Sequence, residues 1–215
     1  MSSPKEKIVI LDLGINNINS VRRAFQDNNQ ESEITIRDNG LDPDTCSLVV
    51  LPGLGSFESG MEQLKHRGLD EYLLRAAESE VSILGICLGM QLLGDTSEES
   101  PGVHGLGLIP GHNLLLPIIP GERIPNIGWM GGKPDNEGNL FPSLSKGKDF
   151  YFVHSYHFSP KSGQDCIFKS VYGGIEITAG IKRGKVLGFQ FHPEKSSNIG
   201  FELVNDISNW ALNEN

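Results

Sequence analysis

The chain is short of cysteine, of long apolar runs and of positive charge, and each shortage excludes a class of protein. Its three cysteines, Cys46, Cys87 and Cys166, are widely spaced and odd in number, with no C-x-x-C. That argues against a disulfide scaffold or a zinc ribbon and predicts a reducing, cytoplasmic setting. No stretch approaches the ~20 apolar residues that a membrane helix needs. The first apolar run, Ile8-Val9-Ile10-Leu11, stops at Asp12 and is too short for the core of a secretion signal. Lys and Arg number 18 against 27 Asp and Glu, a net charge of −9. With no basic block, neither nucleic acid nor an anionic membrane is an expected partner. A hydrophobic fraction of 38% with 21% charged residues excludes a disordered chain and a membrane bundle. The 215 residues predict one domain spanning 1–215. A chain of that size buries about 70% of its unfolded surface and needs no disulfide or metal staple.

What is present alternates. Lys7 to Leu11, Glu33 to Arg37, Ser47 to Leu51 and Val81 to Ile86 read as strands, several of them continuous apolar runs. Asn17 to Asn28 and Ser56 to Glu78 carry helical spacing, the second with a break expected at Gly68, and Leu88 to Leu93 starts another helix. Strands alternating with helices imply crossovers and a mostly parallel sheet covered on both faces. The second half changes character. Seven of the twelve prolines fall between Pro101 and Pro142, which reads as short strands and turns. Phe150 to Phe158, Cys166 to Val171, Gly174 to Gly180 and Lys185 to Phe191 follow as strands, with Gly173-Gly174 and Arg183-Gly184 as turns. An amphipathic helix, Gly200 to Leu212, ends the chain. The expected fold is α/β: a single doubly wound domain with a mostly parallel central sheet and an added antiparallel or mixed strand region in the second half.

Gly85-Ile86-Cys87-Leu88-Gly89 lies where a buried strand meets a helix. It has the G-x-nucleophile-x-G form of a nucleophile elbow, with Cys in the nucleophile position. The glycines permit a turn that crowds its own backbone, and the helix start favours the reactive thiolate. The Leu88 N–H is then placed to face an oxyanion. Alone, the pattern fits a buried cysteine in a glycine-rich turn equally well. A nucleophilic cysteine needs a base, and the base an orienter. His192-Pro193-Glu194 offers both, because residues i and i+2 of an extended chain point the same way. Leu51-Pro52-Gly53-Leu54-Gly55 closes another strand and offers backbone N–H groups for a second oxyanion donor. By itself it is an ordinary strand-to-helix loop. His154 and His157, three apart in one strand, would face opposite sides, so no metal site is expected there. His66, His104 and His112 read as loop or surface residues, and Cys46 and Cys166 as small core side chains.

These three segments, extended to Gly85-Ile86-Cys87-Leu88-Gly89-Met90-Gln91-Leu92-Leu93 and Phe189-Gln190-Phe191-His192-Pro193-Glu194-Lys195-Ser196, resemble the class I (triad-type) glutamine amidotransferases. Gly105-Leu106-Gly107-Leu108-Ile109-Pro110, Ile127-Gly128-Trp129 and Tyr151-Phe152-Val153-His154-Ser155-Tyr156 narrow the resemblance to the glutaminase subunits of imidazole glycerol phosphate synthases. It runs from about Ile8 to Phe201. The resemblance implies that Cys87 attacks the side-chain amide of L-glutamine, His192 serves as base and then acid, and Glu194 orients it. It implies an oxyanion hole from Leu54, Gly55 and Leu88, and glutamine contacts at Gly53, Gln91, Glu99, Ser155 and Tyr156. It implies no cofactor, and a (β/α)8 synthase subunit as heterodimer partner that receives the ammonia for histidine biosynthesis. Trp129, Tyr151 and Lys195 fall at the implied subunit interface or gate. The chain departs from the family pattern at Asn16, where a second glycine is usual, at Asn126 (usually His) and at Met130 (usually Asn). The last two lie near the implied interface and bear on the partner's identity. His157 also occurs in paralogues that feed ammonia to sugar amidotransferases of surface polysaccharide synthesis. The histidine-pathway reading is preferred over that alternative and over a stand-alone cysteine γ-glutamyl hydrolase.

Overall fold

The computed structural model describes residues 7–14, 18–28, 32–40, 46–135, 140–145 and 148–213. The departure at Asn16 lies outside them. The first-half strands are β1 (Lys7–Leu11), β2 (Glu33–Arg37), β3 (Leu48–Gly53) and β4 (Ser82–Cys87). Helix α1 (Ile18–Asn28) follows β1, and α2 (Phe57–His66) and α3 (Leu69–Glu78) both lie between β3 and β4. The expected break at Gly68 is a real one: it adopts φ +66°, which a side chain disfavours, and splits the segment into two helices. Each buries one stripe at i, i+3, i+4, i+7, namely Phe57, Gly60, Met61 and Leu64, then Leu69, Tyr72, Leu73 and Ala76.

Strands β2, β1, β3, β4 and β12 (Val186–Phe189) lie side by side and parallel. Beyond β12 the sheet continues through β11 (Ile175–Arg183), β10 (Cys166–Tyr172), β7 (Asn126–Pro134) and β8 (Asp149–His154), all antiparallel. Three further strands, β5 (Thr96–Ser97), β6 (Gly111–Leu115) and β9 (Tyr156–Pro160), form a branch joined through β9 to β11. The parallel half and the antiparallel extension both follow the expectation. The long β7 does not: the proline-rich stretch conceals a nine-residue strand.

Alternation along the strands divides the core in two. Ile8, Ile10, Leu48, Val50, Leu84 and Ile86 face a cluster shared with α1 and α5 (Ser197–Asn213). Val9, Leu11, Val49, Leu51 and Ile83 face the opposite cluster, built on α2, α3 and α4 (Leu88–Leu92). Helices thus cover both faces of the parallel half, which requires strands apolar on both sides. The parallel strands end together, and that shared edge carries the candidate site.

Candidate active site

Cys87 is the last residue of β4 and precedes α4, with φ 54° and ψ −111°. A non-glycine residue held there is strained, as a nucleophile elbow requires. The flanking glycines have steric reasons to be glycine. A Cβ on Gly85 would lie 2.7 Å from the backbone of Gly89, and one on Gly89 would lie 1.8 Å from the Leu51 carbonyl oxygen. Gly53 sits beside Cys87 in the parallel register, and a Cβ there would come within 3.1 Å of the Gly89 nitrogen. It supports the elbow from the neighbouring strand. Gly89→Ala is expected to destabilise the fold by about 4 kcal/mol or more, because rigid backbone must move. Thermal denaturation checks this, with Gly163→Ala, which meets nothing within 4 Å, staying near the parent.

The partner groups arrive on β12. Phe189 pairs with Ile86, so the residues after Phe189 run past Cys87 on the side away from Gly53. Phe189 and Phe191 stack 5.0 Å apart, and Phe191 stacks on Phe150 at 4.1 Å, all within the core. With the phenyl rings buried on one side, Gln190 and His192 face the other, toward the elbow. The His192 N–H donates to the Tyr151 carbonyl at 2.9 Å. The Ser196 hydroxyl donates to the His192 carbonyl at 2.6 Å and accepts from the Tyr151 N–H at 3.0 Å. These bonds fasten the histidine segment to β8.

His192 Nδ1 lies 2.8 Å from Glu194 Oε1, and both side chains are buried. The contact is the expected one, but its backbone is not extended: Pro193–Lys195 is a 3-10 turn. The turn folds Glu194 back under the ring. His192 Nε2 closes no hydrogen bond among the described residues and remains open toward Cys87. Burial pulls the imidazole pKa down, but attraction to Cys87 and to Glu194 outweighs it and pushes the pKa up to about 9.

The Cys87 thiol donates to the Val153 carbonyl at 3.7 Å. On the same side opens a cavity of about 210 Å³, large enough for one amino acid, lined by Leu54, Gly55, Cys87, Leu88, Gln91, Glu99, Pro125, Val153, His154, Ser155 and Tyr156. All the expected oxyanion and glutamine-contact residues except Gly53 line it. Gly53 lies instead beside a small void shared with His192 and Glu194, behind the elbow. Leu88 begins α4, so its N–H has no acceptor within the helix. Glu99 is tied down through one oxygen, which accepts from the Phe57 N–H at 2.7 Å and holds the start of α2 beside the cavity.

Gln91 donates both of its N–H groups, to the Tyr156 carbonyl at 2.8 Å and to Gln190 Oε1 at 3.2 Å. The Tyr156 carbonyl also receives His154 Nδ1–H at 2.9 Å. His154 Nε2 in turn accepts from Asn126 at 3.1 Å. Burial lowers the His154 pKa to about 4, so the ring is neutral and serves as a wall of the cavity. The expectation that His154 and His157 share a strand is corrected: Ser155 separates β8 from β9, and each histidine stands on its own strand.

Trp129 and Ile127 are more than half exposed on the outer face of β7, and Trp129 meets the half-buried Tyr151 edge-on at 5.9 Å. Lys195 is half-buried in the turn after His192. Asn126 and Met130 point inward from β7, their Nδ2 and Sδ 3.3 Å apart, so these two departures alter the inside of the strand. Sequence reasoning missed Gln190, which is fully buried with its Nε2 3.9 Å from Cys87 Sγ. The signal was there: in Phe189-Gln190-Phe191-His192, polar residues alternate with rings, which puts Gln190 on the histidine's side.

The family model for class-I glutamine amidotransferase matches residues 9–204. The imidazole glycerol phosphate synthase subunit HisH of Moorella thermoacetica is 39% identical over 93% of this chain and 93% of its own. The corresponding subunit of Methanocaldococcus jannaschii is 36% identical over 93% of this chain and 97% of its own. Among solved structures, PurLQS from Thermotoga maritima superposes with a TM-score of 0.72 at 19% identity, covering 96% of this chain and 99% of that one. The glutaminase domain of Trypanosoma brucei CTPS superposes with a TM-score of 0.63 at 15% identity, covering 96% and 93%. The elbow, the fold and these relatives agree: the chain belongs to the class-I glutamine amidotransferases, among the HisH subunits of imidazole glycerol phosphate synthase.

Proposed function

We propose that the chain hydrolyses L-glutamine to glutamate and ammonia with Cys87, His192 and Glu194, and hands the ammonia to a (β/α)8 synthase subunit of histidine biosynthesis. The observation that carries the reading is the strained Cys87 at the lip of a cavity of amino-acid size, with a Glu194-bound imidazole beside it. The Cys87 proton passes to His192 Nε2, and the sulfur attacks the amide carbon. The carbonyl electron pair moves to oxygen, where the N–H groups of Leu88 and the Leu54-Gly55 loop receive it. The pair returns, the C–N bond breaks, and His192 gives its proton to the departing ammonia. Water, deprotonated by His192, then cleaves the thioester and releases glutamate and the thiol. Because both Gln91 N–H groups are already committed, Gln91 offers the substrate its carbonyl oxygen and recognises an N–H donor.

The exposed Trp129 and Ile127 suit burial under a partner subunit. That face adjoins the site through Tyr151, whose carbonyl holds the His192 N–H. With Lys195, Trp129 and Tyr151 would form the gate through which ammonia leaves. The test is co-expression with the synthase: co-elution, and glutamine hydrolysis stimulated by the partner, is the expected result. A lone chain that cleaves γ-glutamyl peptides with no partner effect would overturn the reading.

The raised His192 pKa sets a pH limit. Folding lifts it from 6.5 to about 9 through its interactions with Cys87 and with Glu194, so that stabilisation is full below 6.5 and is lost as the pH rises through 9. The proton needed by the departing ammonia disappears over the same interval. The expected pH profile of kcat/KM in the complex holds through neutrality and declines above about pH 9. A decline centred on 6.5 would contradict the pairing.

A further inference from the structure

We propose that Gln190 is a positioning residue for the nucleophile, donating an amide N–H to Cys87 Sγ and favouring its thiolate form; this rests on the glutaminase reading above. The orientation of the Gln190 amide follows from its surroundings. The Tyr156 carbonyl can only accept, so the Gln91 atom 2.8 Å from it is nitrogen. The same nitrogen lies 3.2 Å from Gln190 and donates its second hydrogen there, so that Gln190 atom is oxygen. The remaining atom of the amide, the NH2, therefore faces the sulfur at 3.9 Å. Gln190 is 0% exposed, and its backbone N–H is held by the Ala179 carbonyl at 3.0 Å. Rotation away from the sulfur would strip buried polar groups of their partners.

The sulfur thus lies between two groups with opposite demands. The Val153 carbonyl accepts a hydrogen bond from the thiol, whereas the Gln190 N–H donates one to the thiolate. When the proton moves from Sγ to His192 Nε2, the bond to Val153 is lost and the bond from Gln190 becomes charge-assisted and stronger. Gln190 therefore tips the proton toward the imidazole before substrate arrives. Through Gln91, which lines the cavity, the same amide connects the substrate wall to the nucleophile.

The test is the rate of Cys87 alkylation by iodoacetamide in the full chain, followed on the Cys87 peptide by mass spectrometry from pH 5 to 9. Gln190→Glu keeps the oxygen that Gln91 needs and sets a second oxygen against the sulfur. Gln190→Met removes the N–H with little change of shape. Both are expected to slow alkylation at pH 7 by about tenfold, the scale of one hydrogen bond to a charged group, and to move the pH midpoint upward. A purely structural role would lower the melting temperature and leave that midpoint unmoved. If either variant folds and alkylates with the parent's rate and midpoint, the proposal is overturned. The assay uses no glutamine, so failure of the glutaminase reading registers separately, as absent glutamine hydrolysis with the alkylation profile intact.

Discussion

Cys87→Ala is expected to abolish glutamine-dependent synthesis in the complex, by about 100,000-fold or more, while ammonia-dependent synthesis survives. The loss is large because nothing replaces the sulfur. Cys46 faces the Tyr72 hydroxyl on the far side of the sheet. Cys166 begins β10, and burial pushes its thiol pKa up to about 11. The groups that set the Cys166 thiol pKa are burial, Thr178, Asp135, Lys169 and Phe168, none of them an imidazole. The survival would follow from separate sites, since added ammonia would bypass the glutaminase and meet the proposed synthase partner directly. Alanine removes one buried atom from a position whose strained backbone it shares with cysteine, so the fold and the docking face stay intact. Glutamine- and ammonia-dependent turnover, measured on one preparation that still co-elutes as a complex, checks the prediction. Loss of both activities in an intact complex would contradict separate sites.

Glu194→Gln carries the second large effect: kcat for glutamine is expected to fall about 100- to 10,000-fold, with KM little changed. The Glu194 carboxylate accepts Nδ1–H at 2.8 Å, which leaves Nε2 as the nitrogen that, in the proposed mechanism, exchanges protons with Cys87. A glutamine turned the wrong way donates to Nδ1 instead and locks the other tautomer. Turned the right way, it keeps the tautomer but loses the negative charge that helps raise the imidazole pKa. The alkaline limit of the activity should therefore move below that of the parent as kcat falls. Because the pair is buried, removing one partner also costs stability, about 3 kcal/mol. Steady-state kinetics between pH 6 and 10, beside a thermal melt, separate the two effects. An unchanged kcat would remove Glu194 from the mechanism.

How much the sequence disclosed depends on the range of the interaction. The elbow is local: Gly85, Cys87 and Gly89 must fit one turn, and the short-range pattern shows it. Strands β1, β3 and β4 were legible because each carries its own apolar run, and helices α1 and α2 because each carries its own 3.6-residue stripe. The position of β12 was not local. It inserts beside β4, about a hundred residues away in sequence, and this pairing alone brings His192 to Cys87. Strand β7 was hidden because Asn126–Pro134 alternates half-buried and exposed positions and contains three glycines, which reads as turn. The break at Ser155 was missed because Asp149–Pro160 is continuously strand-like, although the chain changes partners there, from β7 to β6. Gln190 was passed over because a lone glutamine carries no motif. Its burial and its two amide partners become visible only in three dimensions.

The central claim is that the Cys87 sulfur bonds to the γ-carbonyl of glutamine. Rapid mixing of the complex with isotopically labelled glutamine, acid quenching and peptide mapping test it directly. The account predicts a labelled γ-glutamyl thioester on the Cys87 peptide alone, absent in Cys87→Ala. Continued release of ammonia from glutamine by the Cys87→Ala complex, with no labelled cysteine in the parent, would contradict it.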